Sequence, residues 1–301
     1  MTSKNMSLNN KPFLLRPIGK DYLWGGRRLN DDFSKDIPMQ PLAETWECST
    51  HHDGTSMVAS GEFKGLSLAE VLRSNPGLLG KHYADLGELP ILIKLIDAKK
   101  DLSVQVHPDD EYAFKHENGQ RGKTEMWYVL DASHDAQLVY GFSHDIDKDV
   151  LAKSLQNGTV EKYLQKIPVR RDYNRVDKNG RKRELHIEKA LAVVDMHGSA
   201  QPKQPMRVLK YRRGFASEML CSCKYYQVER VLINTERCRE MATLTSNGDS
   251  FQVLLCMNGC GIMSFGEGEV LNIFKGDCVF LPADSLEVTL HGVLQLLLVR
   301  G

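Results

Sequence analysis

The sequence predicts a mainly β protein: two rolls of short strands, with a helical segment between or inserted. Three observations carry that prediction. From about residue 12 to 145, apolar runs of four to eight residues alternate with polar ones and stop at turn residues. From about 146 to 200 the apolar spacing lengthens to that of a helix. From 201 to 301 short runs return at regular spacing, the signature of a closed or double-sheet roll.

In the first zone the predicted strands are Ala43–Thr50, Ile91–Ala98, Asp101–His107, Glu125–Ala132 and Ala136–Phe142. A helix interrupts them after Ser67, whose hydroxyl can accept a free backbone N–H, and Pro76 breaks it. Asp109, Asp110 and Glu111 open a second helix reaching Lys115, because acids suit the positive end of the helix dipole. In the middle zone Val150, Leu151 and Leu155, then Val160, Tyr163 and Leu164, read as helical, split by Asn157-Gly158. Another helix is predicted over Glu184–His197, after a basic, turn-rich connector that reads as a solvated loop. In the last zone the predicted strands include "SFQVLLCMNG", "CGIMSFG", "LEVTLHG" and "VLQLLLVRG"; Gly276-Asp277 makes a tight turn, a strand follows, and Pro282 ends it.

Composition excludes several classes. Thirty-nine Lys and Arg balance 39 Asp and Glu, so no electrostatic footprint for nucleic acid or an anionic membrane is present. No run of 18 apolar residues predicts a transmembrane helix, and the opening residues contain no apolar signal core, so a cytoplasmic location is expected. The seven cysteines are odd in number and sit mostly in apolar runs, which fits reduced thiols better than a disulfide framework. Cys221-Ser-Cys223 and the pair Cys256 and Cys260 lack the second pair that a zinc site would need.

The chemistry concentrates in "DLSVQVHPDD", Asp101–Asp110. Strand alternation places Ser103, Gln105 and His107 on one face. Glu125 follows after a loop and comes beside His107 if the two strands pair. Imidazole, carboxylate and amide together suit zinc or another first-row ion. Lys123 and Ser103 then flank the donors, and a lysine with a hydroxyl beside a metal suits an anionic, hydroxyl-rich ligand such as a sugar phosphate. The bland reading is the wet face of a strand with a loop charge. His51-His52-Asp53 reads as a turn rather than a metal site, because neighbours on a strand point opposite ways. "GCGIMSFGEGEV" is hairpin chemistry, not a phosphate loop, because it opens no helix.

These residues, with "YLWGGRRL", "SVQVHPDD", "GKTE" and "DYNRVDKNGRKRELHIEKAL", resemble the type I mannose-6-phosphate isomerases in their shorter bacterial form, over residues 12 to 300. The resemblance implies two cupin (jelly-roll) barrels: a catalytic cupin over 1–145, a helical segment and connector over 146–200, and a non-catalytic cupin over 201–301. It implies one zinc per chain, with Gln105, His107 and Glu125 as ligands. Trp24, Ser103 and Lys123 fall at sugar-phosphate positions, and Lys123, Arg170 and Arg171 at positions close to the chemistry. The implied reaction interconverts mannose 6-phosphate and fructose 6-phosphate through a cis-enediol, in a monomer or weak homodimer. The chain departs from the family after Val169, where "RRDYNR" follows at once. The stretch expected there carries a fourth ligand, an acidic residue and strands of the first roll. In the second roll the matching ligand position is Glu287. Loss of internal strands would expose edges and core of the first roll, which favours a polypeptide that carries a further segment between Val169 and Arg170 over a true deletion. A true deletion leaves a non-catalytic sugar-phosphate-binding cupin as the alternative reading.

Overall fold

The structure, a computed structural model, describes residues 10–134, 136–169, 187–198, 208–236 and 240–301. It is mainly β and divides into two compact units. One comprises Met1–Asp21, Gly26–Asp97 and Pro205–Gly301; the other comprises Tyr22–Gly25 and Ala98–Gln204.

The first unit is organised by a ten-stranded antiparallel sheet among the described residues. Its path runs Lys210–Arg212, Phe215–Ser222, Gln227–Asn234, Val288–Arg300, Gln252–Phe265, Cys278–Leu281, Phe13–Arg16, Met57–Val58. Ala242–Leu244 pairs on Val288–Arg300, and Glu269–Phe274 on Gln252–Phe265. Alternation explains the core: Val288, Leu290, Leu294, Leu296 and Leu298 all turn inward, onto Val231, Leu254, Met263 and Ile273. The N-terminal strand pairs Phe13 with Phe280 and Leu15 with Cys278, so early residues complete the sheet of the late ones. A smaller sheet joins Ile18–Lys20, Glu44–Cys48 and Ile93–Ile96.

Two pairs of predicted strands each merge into one. "SFQVLLCMNG" and "CGIMSFG" form the single strand Gln252–Phe265, and "LEVTLHG" and "VLQLLLVRG" form Val288–Arg300. The glycines read as turns are places of close backbone approach. A Cβ on Gly259 would lie 1.9 Å from the Val293 carbonyl oxygen, and one on Gly292 would lie 2.6 Å from that of Cys260. The ladder shifts register between Cys256 and Asn258, one residue before Gly259.

The predicted helix after Ser67 is present as Leu68–Ser74, with a full capping box between Ser67 and Glu70. Buried inside the same unit, the Lys35 ammonium bonds Glu47 at 2.7 Å and also donates to the Gly276 carbonyl, while Thr45 donates to Glu47 at 2.6 Å. Burial pushes the Glu47 carboxyl above the usual carboxylate range, and Lys35 opposes the shift. Six cysteines are free thiols among the described residues; Cys48, Cys256 and Cys278 are buried, and Cys260 is exposed.

The second unit holds the predicted helical segment. Lys148–Gln156 is capped by Asp147, which accepts from the N–H groups of Asp149 and Val150. Its apolar face meets Phe142, Ile146, Tyr163, Leu164, Leu191 and Val194. The helix does not resume through Leu164 as the spacing predicts. Gly158, at φ +67°, ends it, a short 3-10 turn covers Val160–Lys162, and Leu164–Val169 becomes a strand against Ala136–Phe142. The following helix is described over Ile187–Val193 and stops before the predicted His197; the connector and residues 184–186 lie outside the described residues.

The main departure concerns the strands meant to carry the chemistry. Neither Asp101–His107 nor Glu125–Ala132 belongs to any ladder among the described residues. Val104, Val106, Trp127, Val129 and Leu130 are 40–46% exposed. A strand exists through its partner's hydrogen bonds. These segments retain strand-like alternation, but among the described residues no neighbouring strand pairs with them or covers their apolar side.

Candidate metal and sugar-phosphate site

His107 and Glu125 still meet, through loop contacts rather than a ladder. Asp109 caps the helix Asp110–His116 by accepting from the Tyr112 N–H, which fixes the turn directly after His107-Pro108. The returning chain docks on that turn. The Lys123 N–H donates to the Pro108 carbonyl at 3.1 Å, and the Gly122 N–H donates to Asp110 Oδ1 at 3.0 Å. Gly122 is required by this contact, since a Cβ there would lie 2.4 Å from the Asp109 carbonyl carbon and 2.5 Å from the Asp110 nitrogen.

The docking brings three charged or ligating groups together. His107 Nε2 lies 2.8 Å from Glu125 Oε2, and the Lys123 ammonium lies 3.1 Å from the same oxygen and 3.4 Å from the same nitrogen. A carboxylate oxygen only accepts, so Nε2 carries the proton in this arrangement and Lys123 is bonded to Glu125 rather than to the ring. The His107 hydrogen bond, aided by Lys123 and by a bond from Trp127, holds the Glu125 carboxyl down at about 2, against the opposing effect of burial. Glu125 therefore stays ionised, as a metal ligand must.

Ser103 and Gln105 are adjacent to each other, with the Gln105 amide donating to Ser103 Oγ at 3.0 Å. Trp24 lies in the same compact unit and is buried, its ring stacked on Tyr22 at 5.7 Å. Its carbonyl accepts from the N–H groups of Lys99 and Lys100, anchoring the start of the segment that carries Ser103, Gln105 and His107. Arg170 and Arg171 lie outside the described residues.

Chemically, an imidazole nitrogen and a carboxylate oxygen already converge, with an amide two residues away. Zinc bonds of about 2.0–2.2 Å at tetrahedral angles need donors roughly 3.3–3.6 Å apart, so a small opening of the 2.8 Å pair admits the ion. The His107–Glu125 pair fits a zinc-class ion on that count, whereas the Gln105 amide is engaged with Ser103. Sequence reasoning missed Gly122, Asp110 and Trp127. The i, i+2 spacing of Glu125 and Trp127 was a usable signal; the role of Gly122 rests on a contact that no local pattern encodes.

The family model "Phosphomannose isomerase type I, catalytic domain" matches residues 13–141. ManA of Bacillus subtilis, a mannose-6-phosphate isomerase, is 30% identical over 322 residues, covering 95% of this chain and 97% of ManA. The matched span exceeds the 301 residues of the chain, so ManA has internal residues without counterpart here. A mannose-6-phosphate isomerase of Streptococcus mutans is 31% identical over 252 residues, covering 72% of this chain and 78% of the other. Among solved structures, the mannose 6-phosphate isomerase from Bacillus subtilis superposes with a TM-score of 0.85 at 28% identity, covering 96% of this chain and 99% of that one. The Salmonella typhimurium enzyme, solved with fructose 6-phosphate and zinc, shares the fold at a TM-score of 0.67 and 15% identity, over 97% of this chain and 99% of that one.

Proposed function

The chain belongs to the type I phosphomannose isomerase family, and from that premise we propose that it interconverts mannose 6-phosphate and fructose 6-phosphate with one zinc ion held by His107, Glu125 and Gln105. The observation that supports this most is the convergence of His107 Nε2 and Glu125 Oε2 at 2.8 Å with Lys123 beside them. The wider architecture proposed is that of two cupin rolls: a catalytic one within 1–145, the helical segment of 146–200, and a non-catalytic one within 201–301. A cytoplasmic monomer or weak homodimer is the matching setting. No helix among the described residues is long and apolar enough to cross a membrane.

The reaction moves a proton between C2 and C1 of the open-chain sugar through a cis-enediol. That proton is weakly acidic, and negative charge develops on the neighbouring oxygen. When bound, zinc supplies the positive charge that stabilises this oxygen. The residues of the chain would hold the ion and position the substrate. Glu125, ionised and fixed by its hydrogen bonds, supplies a negative donor, and His107 supplies a ring whose other nitrogen can carry the proton once Nε2 is a ligand. Lys123 supplies a cation where an anionic, hydroxyl-rich substrate is held, and Ser103 a hydroxyl on the same segment. Trp24 anchors that segment from behind through its carbonyl.

The test is an assay of both directions with the purified full chain. Conversion lost on chelation and regained with zinc is the expected result. Fructose 6-phosphate that raises the melting temperature without ever being converted would instead establish a binding cupin.

A further inference from the structure

His51, His52 and Asp53 close a hairpin whose arms pair Thr50 with Thr55 and His51 with Gly54. Neighbours on a straight strand diverge, but the reversal at His52-Asp53 cancels that divergence. The two imidazoles stack with ring centroids 4.2 Å apart. His51 Nδ1 lies 3.7 Å from Asp53 Oδ2, and His52 Nε2 lies 3.3 Å from Asp53 Oδ1. One ligand atom from each of the three residues lies within 4.8 Å of the other two, and no other group of three His, Cys, Asp or Glu among the described residues meets that condition. These separations approach the roughly 3.3–3.6 Å between neighbouring donors of a tetrahedral zinc ion.

The hairpin is also held in place. The His51 ring meets Trp46 edge-on at 5.5 Å, its Nδ1 accepts the Asp53 backbone N–H at 3.1 Å, and the Lys20 ammonium bonds the Asp53 carbonyl at 2.6 Å. The Nδ1 lone pair that accepts this N–H is the one a metal ion would take, so binding exchanges that hydrogen bond for the ion. Two imidazoles and one carboxylate suit zinc, nickel or copper, whereas magnesium and calcium need more oxygen donors than Asp53 supplies.

We propose that His51, His52 and Asp53 bind a second divalent ion of the zinc class, on a residue set distinct from His107 and Glu125, with its remaining positions open to solvent. The charges of Lys20 and Lys94 near Trp46 weaken this site relative to a closed four-ligand one. It holds metal independently of isomerase activity.

The experiment is calorimetric titration of the full chain with Zn2+. In a chain carrying His107→Ala and Glu125→Ala, one equivalent still binds. Adding His52→Ala and Asp53→Asn weakens that binding by at least the ~10-fold that loss of even an outer partner of a metal site brings. His52 and Asp53 are exposed, so circular dichroism stays unchanged on their substitution. If the His107/Glu125 variant does not fold, the unmodified chain carries the test: its two equivalents fall to one with His52→Ala and Asp53→Asn. Zinc binding indifferent to those two substitutions, or Mg2+ binding as tightly as Zn2+, overturns the proposal. Turnover is not read, so a failure here is distinct from a failure of the isomerase reading.

Discussion

At the residue scale the site depends on a glycine that donates nothing to a metal. Gly122 lets the returning chain touch Asp109 and Asp110, and that touch sets Glu125 beside His107. Gly122→Ala is expected to separate the two ligands and weaken zinc binding at this site by at least ~10-fold, as loss of a supporting group does. Equilibrium dialysis of the variant against zinc checks this, and wild-type affinity would refute it. Glu125 makes a second prediction. Its folded pKa of about 2 lies below the ordinary 4.5, so the stability it contributes is complete above pH 4.5 and is lost as pH falls toward 2. Melts of metal-free wild type and Glu125→Gln should therefore differ most above pH 4.5 and converge at lower pH. A gap independent of pH would show that the carboxylate is not held as described. At this scale the sequence was informative where side-chain chemistry is local. The alternation of Ser103, Gln105 and His107 and the cap at Asp109 are written in adjacent residues. Gly122 against Asp109 is not, because it depends on two chain segments meeting.

At the element scale, strand-like sequence and strand are separable. Val104 and Val106 have the alternation and branching of strand residues, and Trp127 and Val129 repeat the spacing, yet their segments pair with nothing among the described residues. Propensity gives a tendency; the ladder needs a partner, and the span after Val169 is short of the strands that the resemblance leads one to expect. Amide hydrogen exchange should resolve the difference. Backbone amides of 102–106 and 126–131 are expected to exchange within the first time points, while those of Gln252–Phe265 and Val288–Arg300 persist toward the global unfolding limit. Protection of 102–106 comparable to the long strands would mean that they are paired after all. The late strands were legible because their partners are intact and near in sequence. Their merging was not, because Gly259 and Gly292 look the same in sequence whether a chain turns there or two backbones press together.

At the scale of the whole molecule, the N-terminal strands and the late sheet share one core, and Lys35 binds the two parts of that unit together. It reaches Glu47 from one side of the sequence and the Gly276 carbonyl from the other. Lys35→Met leaves the Glu47 carboxyl buried without its cation, and a buried pair broken on one side costs about 3–5 kcal/mol. Urea denaturation measures this; a loss under about 1 kcal/mol would show the pair to be incidental. The pairing of Phe13 with Phe280 was not legible from sequence, since long-range strand partners leave no local pattern. What was legible is the run of short strands over 201–301; the strand Phe13–Arg16 was not singled out.

The central claim is that His107 and Glu125 hold the zinc on which conversion of mannose 6-phosphate depends. Titrating metal-free full chain with zinc while following conversion of mannose 6-phosphate tests it directly. The account predicts activity that rises with the first tightly bound equivalent and then levels off. His107→Ala or Glu125→Ala should lower it on the order of 10³-fold, because a metal contributes several kcal/mol to the transition state. Zinc bound at His107 and Glu125 with no conversion at saturation would contradict it.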